Sequence, residues 1–162
     1  MADPLSVVAS CVGLISAAGA TVNIITSFVR NCRAARGDLT IVARDLADLQ
    51  LVLELLKDDG QGDALPGPLQ EQINRIVKRC SRIVSDIYAA VKRCKGKSGA
   101  VVWAADGRKE VESLRGELAG YRDALNLTVE TTTFLTTKSI KADTEAIRNQ
   151  TELIPEIKEN TG

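Results

Sequence analysis

The stretch PLSVVASCVGLISAAGATVNIITSFV, Pro4 to Val29, contains no charged residue. Its large apolar side chains, Leu5, Val8, Val12, Leu14, Ile15, Val22, Ile25, Phe28 and Val29, fall on every side of a projected helix. A helix apolar all round is either the buried centre of a protein or a membrane span. At 1.5 Å per residue the stretch reaches about 39 Å, enough to cross a hydrocarbon core of about 30 Å. Length therefore leaves both readings open. The texture is more informative. Ser6, Ser10, Gly13, Ala17 and Ala20 form a ribbon of small residues at heptad spacing, and Ser16, Gly19, Thr21, Asn23, Thr26 and Ser27 dilute the apolar character further. A constitutive anchor would carry more Leu and Ile. Small residues let helices approach closely in water and in lipid alike, so this helix suits a bundle or an oligomer.

Outward from this segment, punctuation divides the chain. Gly37 is expected to end the first helix and Asp38 to cap the next; Gly60, Gly62, Pro66, Gly67 and Pro68 make a second break, and Gly96, Gly99 and Gly107 a third. The second segment places Leu39, Val42, Leu46, Leu49, Leu53 and Leu56 on one face by alternating steps of three and four. In the third the same rhythm runs through Leu69, Ile73, Ile76, Cys80, Ile83, Ile87, Ala90 and Cys94. The fourth carries Val111, Leu114, Leu118, Tyr121 and Leu125, then Thr128, Thr132 and Leu135. Three amphipathic single-seam helices need an apolar partner, which the first can supply. The expected fold is all-α: a four-helix bundle over residues 1–138, with helix 1 the most buried. A polar, weakly helical stalk or linker follows over 139–162, where Ile140, Ile147 and Ile154 alternate with Thr144 and Thr151 and Pro155 interrupts.

Composition fits one helical domain: 162 residues, about a quarter of them charged, few aromatics, and net charge zero. The absence of histidine removes the commonest general base and metal ligand. Cys11, Cys32, Cys80 and Cys94 form no CxxC pair, and three fall on apolar helical positions, which points to reduced thiols in a cytoplasmic setting. Although Ala18-Gly19-Ala20 resembles a cleavage site, the start carries Asp3 and no Lys or Arg, the wrong n-region for secretion. Gly96-Lys97-Ser98 lacks the glycine a phosphate loop needs five positions earlier, where Val91 stands. Asp45 with Asp48, and Glu110 with Glu117, read as solvated helix charges with no companion base. No cofactor, metal site or small-molecule substrate is expected, and the chain does not read as an enzyme.

Charge is unevenly spread. Asp38 to Asn74 holds eight acidic and two basic residues, whereas Arg75 to Lys97 holds eight basic residues and the single acid Asp86. The basic stretch suits lipid phosphates, or equally suits pairing with the acidic stretch of the same fold. Lys92, Arg93, Lys95 and Lys97 beside Trp103 match a membrane interface, where cations meet phosphates and indole sits at headgroup depth. The competing reading has the cations complementing a helix end while Trp103 plugs the bundle. Nucleic acid is not an expected partner, since the patch has no interleaved aromatics and no recognition motif.

Met1-Ala-Asp-Pro-Leu-Ser-Val7, the uncharged helix, the Leu-seamed second helix, Trp103-Ala-Ala-Asp-Gly-Arg-Lys-Glu-Val111, and Leu114, Leu118 and Ala124-Leu-Asn-Leu127 together resemble the fungal HeLo-like N-terminal domain over residues 1–140. That resemblance implies a four-helix bundle related to the pore-forming domains of the mixed-lineage kinase domain-like protein and plant resistance helpers. It also implies placement at the N-terminus of fungal STAND (NOD-like) receptors or beside amyloid signalling motifs. The implied activity is regulated cell death, as in heterokaryon incompatibility, by oligomerisation and membrane permeabilisation. The implied partners are other copies, anionic lipid of the plasma membrane, and an upstream receptor or amyloid-signalling protein. No nucleotide-binding module, repeat array or evident amyloid motif follows within the sequence, which departs from the receptor architecture. A non-lytic adaptor that only self-associates needs the same compact bundle and stays open as the alternative.

Overall fold

The computed structural model describes residues 6–58, 66–96 and 98–161, and among them every long element is helical. Helix α1 spans Val7–Asn31, α2 Arg36–Asp58, α3 Gly67–Arg93, the short α4 Gly99–Val102, and α5 Arg108–Thr161. A 3-10 turn, Arg33–Ala35, joins α1 to α2, and a π-helical turn, Trp103–Gly107, runs from α4 into α5. The chain divides into two compact units, Met1–Thr128 and Val129–Gly162. The all-α expectation holds.

Local chemistry explains the starts. Ser6 caps α1, its hydroxyl accepting from the Ala9 amide at 3.0 Å. Pro68 stands in the first turn of α3, where a missing N–H costs nothing, and Lys92 and Arg93 complement the dipole in its last turn. Two expected breaks move. Helix α1 ends at Asn31, and Gly37 and Asp38 lie inside the first turn of α2, so the 3-10 turn makes the corner instead of glycine. Gly99 and Gly107 interrupt nothing: one opens α4 and the other closes the π turn.

Most of the three seams read from the sequence is buried; Leu69, Leu114 and Tyr121 are half-buried, and the side chains of Thr132 and Leu135 lie outside the described residues. Leu39, Val42, Leu46, Leu49, Leu53 and Leu56 form the inner face of α2; Ile73, Ile76, Cys80, Ile83, Ile87, Ala90 and Cys94 line that of α3; Val111, Leu118 and Leu125 represent α5. The polar seam residues are satisfied within their own helices. Thr21 donates to the Ala17 carbonyl at 2.8 Å and Thr128 to that of Ala124 at 2.9 Å.

Helix α1 packs against both α2 and α3, but it is not the most buried element. Only 28 % of its most apolar window is buried, and α3 buries nine of 27 residues against seven of 25 in α1. The expectation failed because α1 has a seam of its own: Val7, Cys11, Leu14, Ala18, Thr21, Ile25 and Phe28, spaced alternately four and three. One face therefore suffices to dock it. What sets α1 apart is the opposite face, where Ala9, Val12, Gly13, Ser16, Ala20, Asn23 and Thr26 stand exposed without a charge among them.

The segment from Ser139, expected to be only weakly helical, continues as helix to Thr161, with Pro155 inside α5. Residues 141–149 are exposed. Periodicity alone underestimated this helix because its seam is polar, and a polar seam says nothing about whether the backbone continues.

Candidate functional site

The residues flanking the α1 seam divide by size. On one flank stand Val8, Ile15 and Val22, half-buried; α2 reaches this flank at Ile15, where the Gln50 side chain donates to the Ile15 carbonyl at 3.2 Å and Gly19 leaves room for it. The other flank is the small ribbon, one position out of step with the seam. Ser6 is the exposed cap, Ser10 and Gly13 face α3, Ala17 is half-buried, and Ala20 is exposed. Of the proposed insertion-helix residues, Leu14, Ile25 and Phe28 are buried in the seam and Val12 is 47 % exposed; Leu5 lies outside the described residues. The helix as folded thus hides its largest apolar groups and shows its smallest.

Because that ribbon is small, α1 and α3 do not close against each other. A groove of about 700 Å³ remains, floored by Ala9, Gly13, Leu14 and Val77 and edged by Arg75 and Lys78. A Cβ at Gly13 would meet no atom within 4 Å. Arg75 and Lys78 also line a second cavity of about 410 Å³ with Arg79 and Arg82, so the two spaces share a cationic border.

The charges do not pair as the sequence suggested. Asp38 and Asp45, from the acidic stretch, take arginines of α5: Arg108 lies 3.1 Å from Asp38, and Arg115 and Arg122 lie 2.7 and 3.2 Å from Asp45. Of the basic stretch, Arg93 pairs with Glu110. Arg75, Lys78, Arg79 and Arg82 are exposed and make no ion pair among the described residues. Among the described residues no ion pair joins the acidic stretch to the basic one: the α5 arginines, spaced by seven, reach α2 first.

In the Lys92 to Trp103 cluster, Lys92 and Lys95 are exposed, Arg93 is tied to Glu110, and Lys97 lies outside the described residues. Trp103 is 2 % exposed and packs on Phe28 with ring centroids 6.0 Å apart. It plugs the end of the bundle, as the second reading of this residue held. Gly107 lies directly beneath the plug: a Cβ there would stand 2.8 Å from Cys94 Sγ and 3.0 Å from Trp103 Cε3. The sequence marked Gly107 only as a breaker and missed this packing role.

Cys11, Cys32, Cys80 and Cys94 are all buried, and none of them is in a disulfide. Burial raises the Cys80 pKa from 9.0 to about 11 and raises that of Cys94, an upward push that the Arg93 charge partly opposes. Both are thiols at neutral pH, poor nucleophiles and poor metal ligands. No group of three or more metal-ligating side chains occurs among the described residues.

With an all-helical unit, a half-buried uncharged helix and a cation-edged groove in view, the likeness to known families can be placed. Residues 2–161 match the family model described as pigment biosynthesis cluster protein PigL N-terminal. The chain belongs to that family. No curated protein and no solved structure matches it. The match covers both compact units, so α5 belongs to the family's helical domain through its length.

Proposed function

We propose that this PigL N-terminal family member is a non-enzymatic, membrane-acting effector. On this reading the resting bundle holds α1 by its single seam, and oligomerisation at a membrane releases α1 into the bilayer and permeabilises it. The resemblance to HeLo-like domains supplies the cell-death setting, with a cytoplasmic resting state, relocation to the plasma membrane and an upstream receptor as partner. The observation that carries the proposal is the face of α1 from Ala9 to Thr26, exposed yet free of charge. A soluble bundle needs only one apolar face per helix, and natural bundles place charges on the other. Of the described helices, α1 alone is long and apolar enough to cross a membrane.

The family match favours a second reading, a non-lytic adaptor. A relative named for a pigment biosynthesis cluster suggests a helical domain that positions a partner through homotypic contacts without lysis. Dye release from liposomes containing anionic lipid separates the two. The effector leaks dye, and Ser16→Glu or Ala20→Glu abolishes leakage with helicity unchanged, because both sites are exposed in the fold while a charge at a bilayer centre costs about 2.5 to 3.5 kcal/mol. No leakage from the unmodified chain at any lipid composition would leave the adaptor.

A further inference from the structure

Four cations share one face of α3, and the nearest acids along the helix, Glu71 and Asp86, make no ion pair with them among the described residues. Arg75 with Arg79, and Lys78 with Arg82, are like-charged pairs at i,i+4, which destabilise a helix. Arg93, Arg108, Arg115 and Arg122 each meet a carboxylate, whereas these four, like the scattered Arg30, Arg44 and Lys92, do not among the described residues; what distinguishes the four is that they are clustered. The unanswered quartet is also not isolated on the surface. Arg75 and Lys78 edge the groove floored by Gly13, Leu14 and Val77, so an apolar trough opens against a concentrated positive charge. The trough exists because the small ribbon of α1, Ser10 and Gly13 in particular, faces α3 there.

We propose that this composite site binds one anionic phospholipid, its phosphate held by Arg75, Lys78, Arg79 and Arg82 and one acyl chain laid in the α1/α3 groove. The two halves select for an amphipathic anion. Guanidinium groups bind phosphate oxygens in bidentate fashion, while the trough removes a chain from water. A volume of about 700 Å³ falls within the range of small-molecule sites. Glu71 lines the groove one turn before Arg75, at the end away from Arg79 and Arg82, and opposes the anion. The site does not depend on the effector reading, because binding of a single dispersed lipid is measured without a bilayer.

The test is titration of the full chain with dihexanoyl phosphatidic acid below its micelle concentration, followed by calorimetry. Saturable one-to-one binding is expected, with glycerol 3-phosphate and hexanoate each at least tenfold weaker and dihexanoyl phosphatidylcholine showing none. The double variant Arg75→Gln, Arg79→Gln and, separately, Gly13→Leu should each weaken phosphatidic acid binding at least tenfold. Both should stay folded by circular dichroism, since the cations are exposed and unpaired and Gly13 has open space. Glu71→Gln should tighten binding, and Lys92→Gln with Lys95→Gln should leave it unchanged. Equal affinity for glycerol 3-phosphate would reduce the site to a phosphate patch and overturn the proposal. So would phosphatidic acid binding that survives both the cation and Gly13 variants. A Gly13→Leu variant that shifts a monomer–dimer equilibrium in sedimentation, with no lipid bound by the parent chain, would assign the groove to a second copy instead.

Discussion

At Gly107 the fold tolerates no side chain. A methyl group would press on Cys94 Sγ and the Trp103 ring together, and overpacking of this kind costs about 1 to 3 kcal/mol. Gly107→Ala should lower the urea midpoint accordingly. Shortening Cys94 to Ala in the same chain should recover part of the loss, so a double-mutant cycle should show favourable coupling; strict additivity would mean that the two groups do not touch. Cys80 offers a second residue-scale test. Its pKa rises from 9.0 in the unfolded reference to about 11 when buried, so below pH 9 both states hold the proton and the thiol contributes its full stability. As pH rises from 9 through 11 the unfolded state loses the proton first, and up to about 2.7 kcal/mol of stability disappears. Urea unfolding between pH 8 and 10.5 should therefore show a steeper decline in the parent chain than in Cys80→Ala. Parallel slopes would refute burial of that thiol.

Among the elements, α1 is the one whose reading changed most. Its composition suggests a helix wrapped on all sides, yet its packing is that of a heptad helix with one seam and two unlike flanks. Leu14→Ala should cost about 2 to 5 kcal/mol as a buried seam position, whereas Val12→Ala, two residues away on the outward face, should stay within about 0.5 kcal/mol. Denaturation midpoints decide this directly. Comparable losses at both positions would mean that the outward face is covered. The same contrast holds in α2, where Leu49 is fully buried and Leu51 is 66 % exposed.

At the scale of the whole molecule, the buried core of the described residues lies in one unit. Every buried hydrophobic residue that the structure describes lies between Val7 and Leu125, within Met1–Thr128. A chain ended after Thr128 should accordingly retain cooperative unfolding with a midpoint within a few degrees of the full protein, read by circular dichroism at 222 nm. Loss of cooperativity would show that residues 129–162 contribute to the core.

The heptad rhythm of the three amphipathic helices was legible in the sequence because one buried face per helix imposes a period near 3.5, and periodicity needs no knowledge of partners. The absence of histidine and of any paired nucleophile was equally plain, and it set the expectation of a non-enzymatic domain. Three things were decided only in the tertiary structure. An all-apolar helix shows no contrast from which to read its orientation, so the seam from Val7 to Phe28 emerged only from what α2 and α3 cover. The role of Gly107 depends on Cys94 and Trp103, which meet it through the fold of the α3–α5 connection. Charge partners are chosen by distance across helices, not by blocks along the chain: Asp38 and Asp45 sit opposite α5, and Arg75, Lys78, Arg79 and Arg82 are left facing solvent beside a groove that only the packing of α1 on α3 creates.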